Sequence, residues 1–220
     1  MAKRSHKKNT SKQFDERIED DLTITHCGTY KLSRGIRFST RSPIKLQEGY
    51  CFQEFEGEAE NPTLLLAAVS AEKLFRLFID LWTPIGKLVT VTLESTHDDA
   101  LQPSELKTYI NEKIEPRVLE STLWDYEDLT VNDGFLAISI SNQHKTKTVK
   151  FTDEKLLIVM CKDLEAFEEI VMQAGIPLIP DLKTVRDDRH AHLSNATYKQ
   201  QLQELRVRLS ATTLGGLSDF

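Results

Sequence analysis

Residues 134–177 constrain the fold more than any other part of this 220-residue chain. The segment begins GFLAISISNQHKTKTVKF, in which Leu136, Ile138 and Ile140 share one face of a strand. Val149 and Phe151 repeat the alternation in a second strand. Every second side chain of a strand points to the same face, so both strands present one apolar face and one polar face.

The second half of the segment, TDEKLLIVMCKDLEAFEEIVMQAGIP, predicts a third strand and a helix. The turn at residues 153–154 is too short for anything but a hairpin, which makes the pairing antiparallel. Residues 155–161 are apolar at consecutive positions, as in a central strand that is covered on both sides. Asp163 predicts a helix start, and Gly175 followed by Pro177 predicts its end. The segment is therefore expected to form a three-stranded meander that ends in a helix.

Further elements are expected on both sides of the meander. Leu74, Phe75, Phe78, Leu81 and Trp82 fall on one helical face and predict a helix over 71–82. Residues 88–94 alternate as a strand, whereas residues 63–70 fit either a buried strand or a helix start. An i+4 ridge of Leu106, Ile110, Ile114 and Val118 predicts a helix from Ser104 that breaks near Glu115, because Pro116 follows.

The expected fold class is α+β, with a mainly antiparallel sheet formed by the meander 134–161 and the strand 88–94. The helices are expected to pack mostly on one face of this sheet. The alternation of strands and helices is loosely ferredoxin-like, a fold that hosts many unrelated functions.

Three regions are expected along the chain. Residues 1–20 form a disordered basic arm and residues 21–180 a single α+β domain, in which 21–60 contribute short strands with irregular connections. Residues 181–220 comprise a linker, an amphipathic helix over 195–209 and a flexible tail. Residues 1–12 carry five Lys or Arg and no acid, which leaves −11 for the rest of a chain whose net charge is −6.

Composition favours a cytoplasmic protein. No apolar run approaches the ~20 residues of a membrane-spanning helix, and the N-terminus lacks the apolar segment of a secretory signal. The three cysteines, Cys27, Cys51 and Cys161, include no CxxC pair, which is typical of a reducing compartment. Glycine-rich phosphate loops and the common hydrolase motifs are absent from the sequence.

Two sets of residues are candidates for partner binding. Tyr198, Leu202, Leu205 and Leu209 recur at heptad-like spacing in a helix too short to be stable alone, so it must dock on the body or on another protein. Trp124 and Tyr126 stand among acidic residues, where they form either an exposed patch or a loop pinned to the core.

One metal site is conceivable. His97 and Asp98 follow a strand, and His190 and His192 would project to the same side of an extended segment. Imidazole and carboxylate are common ligands of divalent metals, so these four residues could form one site if the fold brings them together.

These observations lead to a ranked set of functions. The first is a non-enzymatic cytoplasmic regulatory or assembly module that acts through protein–protein contacts or self-association, without a cofactor. The alternative is a small metal-dependent, hydrolase-like enzyme that uses the His/Asp cluster. A second alternative is weak nucleic-acid binding through the basic arm, which the net acidity of the body and the arm's lack of aromatic residues disfavour.

Overall fold

The computed structural model describes residues 22–54, 63–97 and 103–214. An eight-stranded antiparallel sheet dominates it, in the order β12-β7-β6-β8-β9-β10-β5-β4. Its strands are β4 (Gly49–Glu54), β5 (Thr63–Ala68), β6 (Val89–His97), β7 (Pro103–Ile114), β8 (Leu136–Asn142), β9 (Lys147–Phe151), β10 (Leu157–Cys161) and β12 (Thr212–Thr213). The predicted α+β class is confirmed.

The meander predicted from residues 134–161 is formed by β8, β9 and β10, which lie in the middle of the sheet. Val149 pairs with Ile140 on one side and with Val159 on the other, so the apolar faces of the three strands coincide. The ambiguous segment 63–70 supplies β5, which pairs with β10 through Leu65 and Val159.

Five helices lie within the described residues: α1 (Ala71–Leu81), α2 (Pro116–Trp124), α3 (Glu127–Asn132), α4 (Glu165–Gln173) and α5 (Ala196–Arg208). Their apolar side chains join one face of the sheet in a single large core, to which Phe78, Leu119, Phe167 and Leu205 contribute. The opposite face of β4, β5 and β10 contacts Ile179 and Leu182 of the segment that follows α4. The helices therefore pack on one face, as expected.

The helix predicted from Ser104 is wrong. Residues 103–114 form β7, the longest strand, which pairs with β6 with register shifts at both ends. The i+4 ridge does not mark a buried face, because Leu106 and Val118 are both more than half exposed. Pro116 does not break a helix but begins α2, where its missing N–H removes no hydrogen bond.

Helices α1, α4 and α5 form where the sequence predicts helices, whereas α3 lies in a segment for which the sequence predicts a loop. Asn195 caps α5 through its side chain, which accepts the N–H of Tyr198 at 2.9 Å. Gly175 follows α4 in the left-handed conformation (φ 73°), as expected of a glycine that ends a helix. Residues 212–213 of the predicted tail form the edge strand β12 beside β7. No described helix has the length and apolar character needed to cross a membrane.

Residues 22–46 form a smaller unit with its own core of Tyr30, Ile36, Phe38 and Leu46, to which Val185 contributes. It contains the hairpin of β1 (His26–Cys27) and β2 (Tyr30–Lys31), and β3 (Ile36–Phe38), which pairs with β11 (His190–His192). This unit meets the main body where Gly35, Gly134 and Leu193 cross. Leu193 donates its N–H to the Gly35 oxygen and accepts the N–H of Gly134. A Cβ on Gly134 would lie 2.3 Å from the Gly35 oxygen.

Candidate functional site

His97 lies at the end of β6, and the structure pairs it with Asp133, which follows α3. Its Nε2 is 2.7 Å from Asp133 Oδ2, and the two side chains are only 2% and 0% exposed. The other carboxylate oxygen of Asp133 accepts the N–H of Phe135 at 3.0 Å. The Asn-Asp-Gly sequence at residues 132–134 indicates a turn and gives no sign of this pair.

Ser194 completes an arrangement that superficially resembles a catalytic triad. Its Oγ lies 3.4 Å from His97 Nε2, the same nitrogen that contacts Asp133. Because the carboxylate is the stronger acceptor, the Nε2 proton is directed to Asp133. The basic lone pair is then on Nδ1, which is buried without a hydrogen-bond partner in the described part of the chain. A catalytic base must face the hydroxyl that it activates, so this geometry does not activate Ser194.

Lys155 is the third buried ionisable group in this region. Its Nζ donates to the carbonyl oxygens of Thr130 and Leu136, each at 3.1 Å, and the residue is 3% exposed. Burial lowers the pKa of Lys155 to about 8, against the opposing attraction of Asp133. The ammonium group thus links α3 to the start of β8, which is a structural role.

His190 and His192 lie on β11 with their ring centroids 5.2 Å apart. The ring of His192 is hydrogen-bonded through Nδ1 to the Gly134 oxygen at 2.8 Å. Asp98 of the predicted metal site lies outside the described residues. Among the residues that the structure does describe, no three His, Cys, Asp or Glu side chains are grouped so that they could hold a metal ion.

Asp153, the neighbour of Glu154, lies near His192, with its Oδ2 atom 3.8 Å from His192 Nδ1. Burial alone would raise the pKa of Glu154, but Arg186, whose Nη2 is 2.9 Å from the carboxylate, holds that pKa at about 2. Burial raises the pKa of the neighbouring Asp153. Cys51 and Cys161 offer no activated thiol either, because burial raises the pKa of both.

The predicted partner-binding helix packs on its own chain. Tyr198, Leu202, Leu205 and Leu209 are all buried in the main core. Tyr198 also donates its hydroxyl to Asp128 at 2.9 Å. Burial, followed by this hydrogen bond, raises the pKa of Tyr198 to about 12. These side chains can contact a second protein only if α5 leaves the body.

Trp124 and Tyr126, the two aromatic residues among the acidic ones, have different environments: one is partly exposed and the other is buried. Tyr126 is buried between α2 and α3, so it pins the connection to the core. Trp124 is 43% exposed, and its ring meets the buried Phe75 of α1 edge to face at 4.9 Å between centroids. Of the residues predicted to bind a partner, Trp124 alone presents a large accessible surface.

A polar pocket of about 150 Å³ opens where the small unit meets α5. Arg34, Asn132, Ser194, Asn195 and Tyr198 contribute to its wall. Arg34 is already engaged, because its Nη2 is paired with Asp128 and lies 3.2 Å from the hydroxyl of Tyr198.

Comparisons of the chain with protein-family models, curated proteins and solved structures returned no match.

Proposed function

We propose that this protein is a non-enzymatic module that acts through protein–protein contacts, and that the outer face of α2 is its contact surface. The observation that carries the proposal is the exposure of Trp124 together with that of Val118, which is 57% exposed. Tryptophan is enriched among the residues that dominate binding energy at protein interfaces.

The exposed side chains of α2 form one continuous face. Arg117, Val118, Ser121 and Trp124 are exposed, whereas Leu119 and Leu123 are buried. At 100° per residue the four exposed positions span about 120° of the helix surface. Trp124 is supported from below by Phe75, so a partner would meet a ring that is already held in place. A fixed aromatic ring loses little conformational entropy on binding.

The surroundings of α2 are also concave. Two open depressions, of about 610 and 310 Å³, both include Pro116 and Arg117 at the start of the helix. Leu88, which is 40% exposed, lies in the larger one. Depressions beside the start of a helix that exposes apolar side chains can receive side chains from a partner.

The catalytic alternative gains less support. His97 and Asp133 are both buried and directed at each other, and a substrate would need access to at least one of them. The metal-dependent alternative requires ligands that the described residues do not group together.

Site-specific photo-crosslinking tests the proposed contact. A photo-reactive amino acid replaces Ser121, which lies between Val118 and Trp124 on the exposed face, in the cells that produce the protein. Irradiation is expected to give a discrete adduct that disappears when Trp124→Ala is added. The same amino acid at Gln203, which is exposed on α5, is the matched control.

Two outcomes would contradict the proposal. The first is an adduct pattern that is the same at both positions. The second is a pattern at position 121 that survives Trp124→Ala while circular dichroism shows a folded variant. The mass of the adduct distinguishes a second copy of the 25.1 kDa chain from a different protein.

A further inference from the structure

The small N-terminal unit has an unusual charge for a chain of net charge −6. Residues 22–46 contain five basic residues and no Asp or Glu: Lys31, Arg34, Arg37, Arg41 and Lys45. The acidic residues of the protein are therefore concentrated elsewhere, and residues 22–46 carry a formal charge of +5.

Strand pairing divides the small unit into an inner and an outer face. Ile36 and Phe38 are fully buried and point inward, so Arg37 between them points outward. The bridge between Ile24 and Phe38 places Thr25 opposite Arg37 on the outer face. Arg37 pairs with Ala191 on the other side.

Arg189 is the second cation of the outer face. Its carbonyl oxygen accepts the N–H of Ser39 at 3.2 Å, which continues the pairing of β3 with β11 by one step. Arg37 and Arg189 are therefore diagonal neighbours, with Cα atoms about 7–8 Å apart. We call the surface formed by Thr25, Arg37 and Arg189 the basic ribbon.

The two arginines of the basic ribbon form no close ion pair within the described part of the chain, although the charge of Asp188 interacts with that of Arg189. Lys31 and Arg34 are paired with Glu72 and Asp128, respectively. In contrast, neither Arg37 nor Arg189 forms an ion pair with any acid among the described residues. One nitrogen of the Arg37 side chain, Nη1, donates to the backbone oxygens of Arg34 and Ile36, which fixes the side chain and leaves its other N–H groups for a ligand.

We propose that the basic ribbon binds the phosphate backbone of double-stranded nucleic acid without reading its sequence. Arginine and threonine side chains are common donors to phosphate oxygens. The described outer face has no Phe, Tyr or Trp side chain on which an unpaired base could stack, which disfavours single strands. It also lacks the apolar centre of a protein interface, which disfavours a folded acidic protein. This inference concerns a surface other than α2 and does not depend on the function proposed above.

The test measures binding of the full chain to a fluorescently labelled 24-base-pair DNA duplex by anisotropy, between 50 and 200 mM NaCl. Each phosphate contact contributes about 0.9 to the slope of log affinity against log salt. The double variant Arg37→Gln/Arg189→Gln is therefore expected to make this negative slope shallower by about 1.8. The salt-induced loss of affinity over this range then shrinks about 12-fold. A duplex of a different sequence is expected to bind equally well.

The matched control is Lys107→Gln/Lys113→Gln, which removes two exposed cations of β7 and changes the net charge equally. It is expected to leave the slope unchanged. The proposal is overturned if the full chain does not bind the duplex at 50 mM NaCl, or if both double variants make the slope equally shallower. It is also overturned if deletion of residues 1–12 removes all binding while Arg37→Gln/Arg189→Gln has no effect. Displacement of the duplex by polyglutamate at equal charge concentration would instead identify an acidic polypeptide as the ligand.

Discussion

Replacing Lys155 by methionine should change how the stability of the protein depends on pH. The lysine is buried in the turn between β9 and β10, and its ammonium group contacts two carbonyl oxygens rather than a carboxylate. Methionine keeps most of the apolar side chain but removes the titrating amine. The left-handed backbone at this position (φ 64°) is strained to a similar extent in both proteins, so this cost cancels in the comparison.

The magnitude follows from the lowered pKa of Lys155. Folding shifts this pKa from 10.5 to about 8, so between these values the unfolded chain binds more protons than the folded one. The free energy of unfolding therefore rises with pH in this window, by at most about 1.4 kcal/mol per pH unit. Between pH 8 and pH 10 the wild type should gain about 2 kcal/mol relative to Lys155→Met.

Urea denaturation followed by circular dichroism measures the effect, at constant ionic strength and at pH 7, 8, 9 and 10. Other groups titrate in this range, and the comparison of wild type with variant removes their shared contribution. Lys113→Met, at an exposed position of β7, is the control and should follow the wild type. If the curves of wild type and Lys155→Met run parallel from pH 8 to pH 10, folding does not lower the pKa of Lys155 and the reasoning fails.

Three further predictions concern stability. Leu205→Ala should lower the free energy of unfolding by about 2–5 kcal/mol, because Leu205 is fully buried, whereas Val207→Ala at a 72% exposed position should change it by less than about 0.5 kcal/mol in urea denaturation. Gly134→Ala should lower the melting temperature in a calorimetric scan, because the added Cβ would lie 2.3 Å from a neighbouring carbonyl oxygen; an unchanged melting temperature would contradict this close crossing. Arg186 holds the pKa of Glu154 at about 2, below its usual 4.5, so this pair stabilises the protein above pH 4.5 and the contribution is lost as the pH falls toward 2. Arg186→Gln should flatten the decline in melting temperature over that range, and an equally steep decline would count against the pair.

The central part of the fold could be predicted because its signals are local. In β8, β9 and β10 the alternation, the short turns and the final helix all agree, and each depends on residues close in sequence. The strand β7 could not be predicted in this way. Its apolar residues happen to repeat every four positions, and only pairing with β6 shows that the segment is extended.

The candidate sites show the same division. The spacing of Leu202 and Leu205 predicts an amphipathic helix, but spacing cannot say whether the covering surface belongs to the same chain. His97 and Asp133 are 36 positions apart, and only the placement of α3 against the end of β6 brings them together. Arg37 and Arg189 are separated still further in sequence, and the pairing of β3 with β11 makes them neighbours.

The buried polar groups explain how the two proposed surfaces are held on one body. Asp133 and Lys155 connect the end of α3 to β6, β8 and β10, through His97 and two backbone oxygens. The other end of α3 carries Asp128, which pairs with Arg34 of the small unit, and α2 leads directly into α3. The helix α3 is therefore the common support of the basic ribbon and of the α2 face. Because their binding residues lie on separate elements, changes confined to Trp124 or to the two arginines should affect one surface at a time. Loss of the Asp133 and Lys155 contacts that hold α3 should disturb both surfaces.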